Sequence, residues 1–411
     1  MINAGDTAWV LISAAMVMFM TPGLALFYGG MVRRKNLLST IMMSFACIGL
    51  VTVLWMTYGY SIGFAPGIAG GLFGNLEYLG LNGVGQEPSA VYATTVPHLA
   101  FMAFQGMFAV IALALITGAV VERMKFSALL VFGALWLTFI YCPVAHWVWG
   151  DGGWLARLGA LDFAGGAVVH INAGVSALAL VILLGKRRDF TREATPPSSV
   201  PMVVTGSAIL WFGWFGFNAG SALGSNGLAS SAFVSTHLSA AAAALTWMIV
   251  SWSYKKPTLL GTATGAVAGL VAITPAAGFV EPIAAIPIGV GASLAGFYGM
   301  KLLKEKLGFD DSLDVFAVHG LGGVWGAVAT GIFASAAVNP AGADGLVNGG
   351  GMQVVIQMIS VVAVAAFAFI GSIVIGKVVN ATVGLRVKPV EETIGLDLSQ
   401  HAESVYGGSM R

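Results

Sequence analysis

Charge is the scarcest property of this chain: Asp, Glu, Lys and Arg make up 9% of its 411 residues, while 57% are hydrophobic. So little polar surface excludes a soluble globular domain and any large extramembrane part, and the chain reads as an integral membrane protein. The formal net charge is only +1 and no basic run is interleaved with aromatics, so nucleic acid is not an expected partner. Cysteine is nearly absent. Cys47 and Cys142 both lie within apolar segments and read as packing residues rather than a disulfide or a metal pair. There is no H-E-x-x-H, no G-x-S-x-G and no phosphate-binding glycine loop opening a helix. An enzyme, a metal centre and a cofactor are therefore not expected. The first residues have no basic n-region and the apolar stretch after them is too long for a signal peptide, so they read as a retained first span.

Glycine is abundant, with 56 residues, which in membrane spans serves close approach between helices. Apolar runs of spanning length cover residues 8–30, 37–63, 98–120, 126–148, 162–184, 200–220, 228–253, 258–275, 282–303, 312–333 and 352–383. The expected fold is all-α, with eleven transmembrane helices forming one membrane domain over residues 1–383. A short polar tail, partly ordered, follows over residues 384–411. Basic residues occupy alternate connections: Arg33 to Lys35, Arg123 and Lys125, Lys186 to Arg192, Lys255 and Lys256, and Lys301 to Lys306. Lys377, Arg386, Lys388 and Arg411 fall on the same side, and only Arg157 on the other. The amino terminus is then outside and the carboxyl terminus cytoplasmic, in a multi-pass plasma-membrane protein.

Two segments place an aspartate eight residues before a histidine in apolar surroundings, Asp162 to His170 and Asp311 to His319. Measured from a helix end at the aspartate, eight residues of helical rise put each imidazole roughly 12 Å deep, near the middle of the bilayer. The fifth and tenth spans run in opposite directions, so spans one to five and six to ten would form an inverted repeat with the histidines meeting at its centre. The last helix falls outside the repeat. A buried histidine can simply lock two helices; two at matching depth favour lining a path. Asp162 suits an N-terminal cap. Asp310, Asp311 and Asp314 suit the matching work on the other face, one as a cap and another paired with a loop lysine. Phe104 and Phe108 share a helical face, Trp147 and Trp149 close the fourth span, and Trp211, Trp214, Phe215 and Phe217 crowd the sixth before Ser221. Ordinary belt and core packing accounts for most of these rings. A ring cluster with a hydroxyl could also hold a small cation, and spacing does not decide between the two.

The motifs T-P-G-L-A-L-F-Y-G-G, E-R at Glu122 and Arg123, D-F-A-G-G-A-V-V-H-I-N-A-G, W-F-G-W-F-G-F-N-A-G-S-A, D-V-F-A-V-H-G, G-L-R-V and the G-L-D-L tail, in this order, resemble the ammonium transporter family (Amt/Mep/Rh), bacterial and archaeal Amt branch. The resemblance implies a homotrimer with one pore per subunit, carrying ammonium or ammonia, with methylammonium as analogue. It implies that Phe108, Trp149 and Ser221 recruit the cation with Phe104 beside them, and that Phe108 and Phe217 are stacked gate rings. By the same likeness His170 and His319 are the pore histidines, Asp162 is a structural aspartate near the recruitment site, and Phe27 and Tyr28 lie near the inner path. It implies a P-II signalling protein docking at the cytoplasmic face with the tail taking part. The recruitment triad points to scavenging the cation rather than to a Rh-like gas facilitator or a sensor. Two departures stand out: an extra residue in G-D-G-G-W after Trp149, and a missing cleavable leader.

Overall fold

A computed structural model describes residues 1–190 and 196–405. Arg192, Tyr406 and Arg411 lie outside them. Among the described residues, ten helical segments are long and apolar enough to cross a membrane. With one shorter apolar helix they are, in chain order, α1 (Ala4–Met31), α2 (Arg34–Phe64), α3 (His98–Val120), α4 (Phe126–Leu158), α5 (Gly166–Leu184), α6 (Val200–Gly220), α7 (Gly227–Tyr254), α8 (Leu259–Ile273), α9 (Pro282–Leu307), α10 (Phe316–Phe333) and α11 (Met352–Thr382). The stretch expected to be the eighth span is the short one. Its helix holds 15 residues, because Thr258 caps it by accepting from the Gly261 N–H and the chain turns at Thr274-Pro275.

Polar caps start several helices where the apolar runs begin. Asn3 accepts from Asp6 N–H, Ser199 from Met202 N–H and Asn226 from Ala229 N–H, each satisfying a donor the helix itself cannot use. The all-α expectation holds for the apolar segments. Between α2 and α3 the chain forms two small antiparallel hairpins, β1 (Gly67–Ile68) with β2 (Phe73–Gly74) and β3 (Pro88–Ser89) with β4 (Ala93–Pro97). Outside the apolar layer a glycine-rich segment cannot rely on helix packing, and Gly70 and Gly71 supply the positive φ of the first turn.

Two helix pairs make the centre. α1 packs along α6 so closely that a Cβ on Gly23 would sit 2.6 Å from Ile209. α5 crosses α10 where a Cβ on Gly174 would run into the backbone of Gly320. Gly174 is one turn beyond His170, and Gly320 follows His319, so this crossing brings the two imidazole-bearing turns together.

The tail is described as far as residue 405. It forms two short helices, α12 (Pro389–Ile394) and α13 (Leu396–His401), tied under the bundle. Lys35 Nζ donates to the carbonyls of Glu392 and Thr393, Ser39 N–H to Asp397 Oδ1, and Arg386 to Glu392 at 2.8 Å.

Candidate functional site

The eight-residue spacing does not measure helix depth. Helical structure begins at Gly166 and just before Phe316, about one turn after each aspartate, so each histidine stands within the first turns of its helix. Both of those turns are wide, π-helical ones, Gly166–Ile171 and Phe316–Leu321. Such turns have one residue more per ring and recur at functional sites because they re-aim side chains. The aspartates sit at the starts. Asp162 accepts four backbone N–H groups, from Gly165 and Gly166 on Oδ1 and from Ala167 and Val168 on Oδ2, at 2.6–3.2 Å. Asp311 accepts from Phe316 N–H at 2.8 Å, and Asp314 pairs with Lys304 at 2.8 Å.

His170 and His319 meet Nδ1 to Nδ1 at 3.3 Å, both buried, with ring centroids 5.3 Å apart. A hydrogen bond between two Nδ1 atoms needs a proton on one and a lone pair on the other. The acceptor ring is then neutral and carries an Nε2–H, and the donor ring, when it too is neutral, has a bare Nε2, so the neutral pair offers one donor and one acceptor. His170 Nε2 has no partner among the described residues.

Above the pair, toward the end where α4 finishes, rings form a column. His170 stacks 5.5 Å from Trp214 and 6.0 Å from Phe217. Phe217 lies 4.2 Å from Phe108, tilted by 39° rather than stacked flat. Phe108 meets Phe104 edge-on at 4.8 Å and Trp149 at 6.0 Å. Phe108 and Phe217 are buried while Trp149 and Ser221 are half-exposed, so the column opens at the Trp149 end. Ser221 Oγ donates to the Phe217 carbonyl at 2.8 Å, which spends its hydrogen and leaves its lone pairs free. Trp149 is fixed by its indole N–H on the Asp162 carbonyl, 2.8 Å away. At the opposite end, Phe27 and Tyr28 are buried on α1, with Tyr28 Oη donating to the Leu115 carbonyl.

Sequence reasoning left Trp214 among belt rings, although it stacks on His170. Its signal was present, since Trp214, Phe217 and Ser221 follow a spacing of three and four on one helical face. It also missed a buried charge network at the basic face. Glu122, in a left-handed backbone conformation (φ 70°), takes Arg33 at 3.0 Å and Arg187 at 2.5 Å; Arg187 also binds Asp310 at 2.7 Å. Arg123 holds the Asp310 carbonyl and Ser312 Oγ. Burial pushes the Glu122 carboxyl upward, but Arg187 and Arg33 outweigh it and hold it at about 2. The same balance, burial opposed by Arg187 and Arg123, holds Asp310 below its ordinary value. Burial and Asp314 push Asp311, short of partners, up to about 6. The described residues contain no cluster of three or more His, Cys, Asp or Glu able to hold a metal, and both cysteines are free and buried.

A model of the Ammonium Transporter Family matches residues 8–406. An ammonium transporter of Bacillus subtilis is 52% identical over 407 residues, covering 99% of both chains. Ammonium transporter Amt1 of Archaeoglobus fulgidus is 49% identical, covering 98% of this chain and 99% of its own. The crystal structure of Saccharomyces cerevisiae Mep2 superposes with a TM-score of 0.87 at 35% identity, covering 94% of this chain and 88% of its own. With its apolar helices, its converging histidines and these likenesses over its whole length, the chain belongs to the ammonium transporter family, as a multi-pass membrane transporter and not an enzyme.

Proposed function

We propose that this chain captures ammonium at the half-exposed end of the ring column, removes a proton near Phe108 and Phe217, and conducts ammonia past His170 and His319. The observation that carries the reading is the 3.3 Å approach of the two imidazoles at the foot of a continuous aromatic column. Trp149, Phe104 and Phe108 offer ring faces to a cation, and the free lone pairs of Ser221 accept one of its N–H bonds. Buried Phe108 and Phe217 carry no group to replace the hydration shell, so an ion passing them meets a desolvation cost of several kcal/mol or more. Ammonia escapes most of that cost. It can also donate to the bare Nε2 of one histidine and accept from the Nε2–H of the other. Potassium has no proton to shed and is excluded by the same barrier.

The membrane part covers residues 1–383 with eleven crossings, the short α8 among them, amino terminus outside and residues 384–411 cytoplasmic. The basic loops favour this orientation. The matched π-turns of α5 and α10 and the close α1–α6 pairing favour the inverted repeat. A homotrimer is favoured by His237, an ionisable residue exposed well inside α7 beside Trp211 and Phe215, where lipid contact would be costly. A P-II signalling protein docks at the basic face, where the tail helices are anchored to Lys35, Asn36 and Ser39. Co-purification in ATP, ADP and 2-oxoglutarate tests it, and failure in every combination refutes it.

The central test is an ammonium pulse on proteoliposomes adsorbed to a solid-supported membrane, with a parallel pH-dye assay of uptake. Alkalinisation or current with ammonium and none with potassium is expected. Neither signal with ammonium refutes the reading, and the current also decides whether charge crosses with the ammonia.

A further inference from the structure

An open apolar groove runs along the outside of the bundle between α9 and α10. It is lined by Tyr298 and Leu302 on one side and by Leu321, Val324, Trp325 and Val328 on the other. The α10 residues fall at spacings of three and four, one face over roughly 10 Å of helix. The indole N–H of Trp325 is spent on the Ile288 carbonyl, so the ring offers the groove only apolar surface. Gly289 and Gly296 of α9 pack against Ser239 and Trp247 of α7, and the groove residues occupy another side of that helix.

The groove continues into a basic cluster. Tyr298 lies one turn before Lys301, whose ammonium stands 3.8 Å over the ring of Tyr254 and 5.6 Å from that of Phe297. Lys255 and Lys256 follow Tyr254, and Lys304 and Lys306 follow Lys301, with Glu305 the one acid in these two stretches. Among the described residues only Lys304 of the five is paired with a carboxylate, that of Asp314. Lys255 and Lys256 are exposed in the connection between α7 and α8.

From this continuity of a hydrocarbon slot with unpaired ammonium groups, we infer that the α9–α10 groove is a binding site for one anionic phospholipid. An acyl chain lies against Leu302, Trp325 and Val328, and the phosphate sits among Lys255, Lys256 and Lys301. Basic pockets between membrane helices take anionic headgroups in this way, and lysines near the surface each add to the attraction. The inference needs only the membrane reading of the chain and stands or falls separately from the transport path.

The test is native mass spectrometry of the detergent-purified protein titrated with phosphatidylglycerol or phosphatidylcholine of identical acyl chains. The wild type is expected to retain phosphatidylglycerol about tenfold more tightly, a preference that Lys255→Gln, Lys256→Gln and Lys301→Gln together abolish. Lys377→Gln, a neutralisation at the end of α11, is expected to preserve it. Leu302→Trp, which fills the groove from an exposed position, is expected to lower retention of both lipids without changing the mass of the assembly. Equal retention of the two lipids by the wild type, or an undiminished preference in the triple variant, overturns the inference. So does a Leu302→Trp variant whose assembly mass changes with its lipid retention intact, which would assign the groove to a second copy of the chain.

Discussion

His170 and His319 share one hydrogen between their Nδ1 atoms across 3.3 Å, although 149 residues separate them in sequence. The shared proton requires one bare nitrogen, so at least one ring is neutral. Replacing either ring removes both the donor–acceptor pair and the polar edge facing the column. For His170→Ala and His319→Ala, ammonium uptake in proteoliposomes should fall about tenfold, the loss of one hydrogen bond of about 1.5 kcal/mol. Unchanged rate and unchanged potassium exclusion in both variants would remove the pair from the mechanism.

On the proposed function, Ser221 acts at entry. Its oxygen would accept from a charged donor, a bond worth about 1.5–3 kcal/mol, so Ser221→Ala should raise the half-saturating ammonium concentration about tenfold or more. The maximal rate should hardly change, because the column below is intact. Uptake measured over a concentration series separates the two parameters.

The Glu122 network makes stability depend on pH. The carboxyl is held at about 2 against an ordinary 4.5, a depressed value, so its contribution is full above about 4.5 and is lost as pH falls toward 2. The difference is on the order of 3 kcal/mol. The melting temperature of detergent-solubilised protein should be flat near neutrality and drop below pH ~4.5. Glu122→Gln should lower it at neutral pH and flatten the acid limb. An acid limb identical in the two proteins would show that the network does not titrate.

Gly174 is where α5 touches α10. Gly174→Ala places a methyl against the Gly320 backbone, and overpacking of this kind costs about 1–3 kcal/mol. A lowered melting temperature together with reduced uptake is expected, since the crossing also aligns His170 with His319. Wild-type values for both would mean that the helices part at no cost.

His237 tests the assembly. His237→Glu puts a carboxylate on the exposed α7 face beside Trp211, and on the proposed homotrimer the native mass is expected to shift from trimer to monomer. A trimer of unchanged stability would place that face in lipid.

Much of this was legible in the residues, for identifiable reasons. Helix positions follow from long apolar runs; the meeting of His170 with His319 was expected from a spacing read as helix depth, whereas the structure brings the two rings together in the first turns of α5 and α10. The wide turns that carry both rings were not legible, because a π-turn differs from an α-turn by one hydrogen-bond shift and has no residue signature. The hairpins at residues 67–97 were hidden by a segment without hydrophobic period. The Glu122 network was invisible because its members come from loops far apart in sequence: Arg33 is 89 residues from Glu122, and Arg187 is 123 from Asp310.

Asn36 gives its side-chain N–H to Glu122 and accepts from the Leu396 N–H, 360 residues later. During synthesis the first basic turn is therefore incomplete until nearly the whole polypeptide has left the ribosome. Segments inserted early wait on the last one to close their underside, so a nascent molecule cut short at α12 would reach the bilayer with an open seam beside its first two helices.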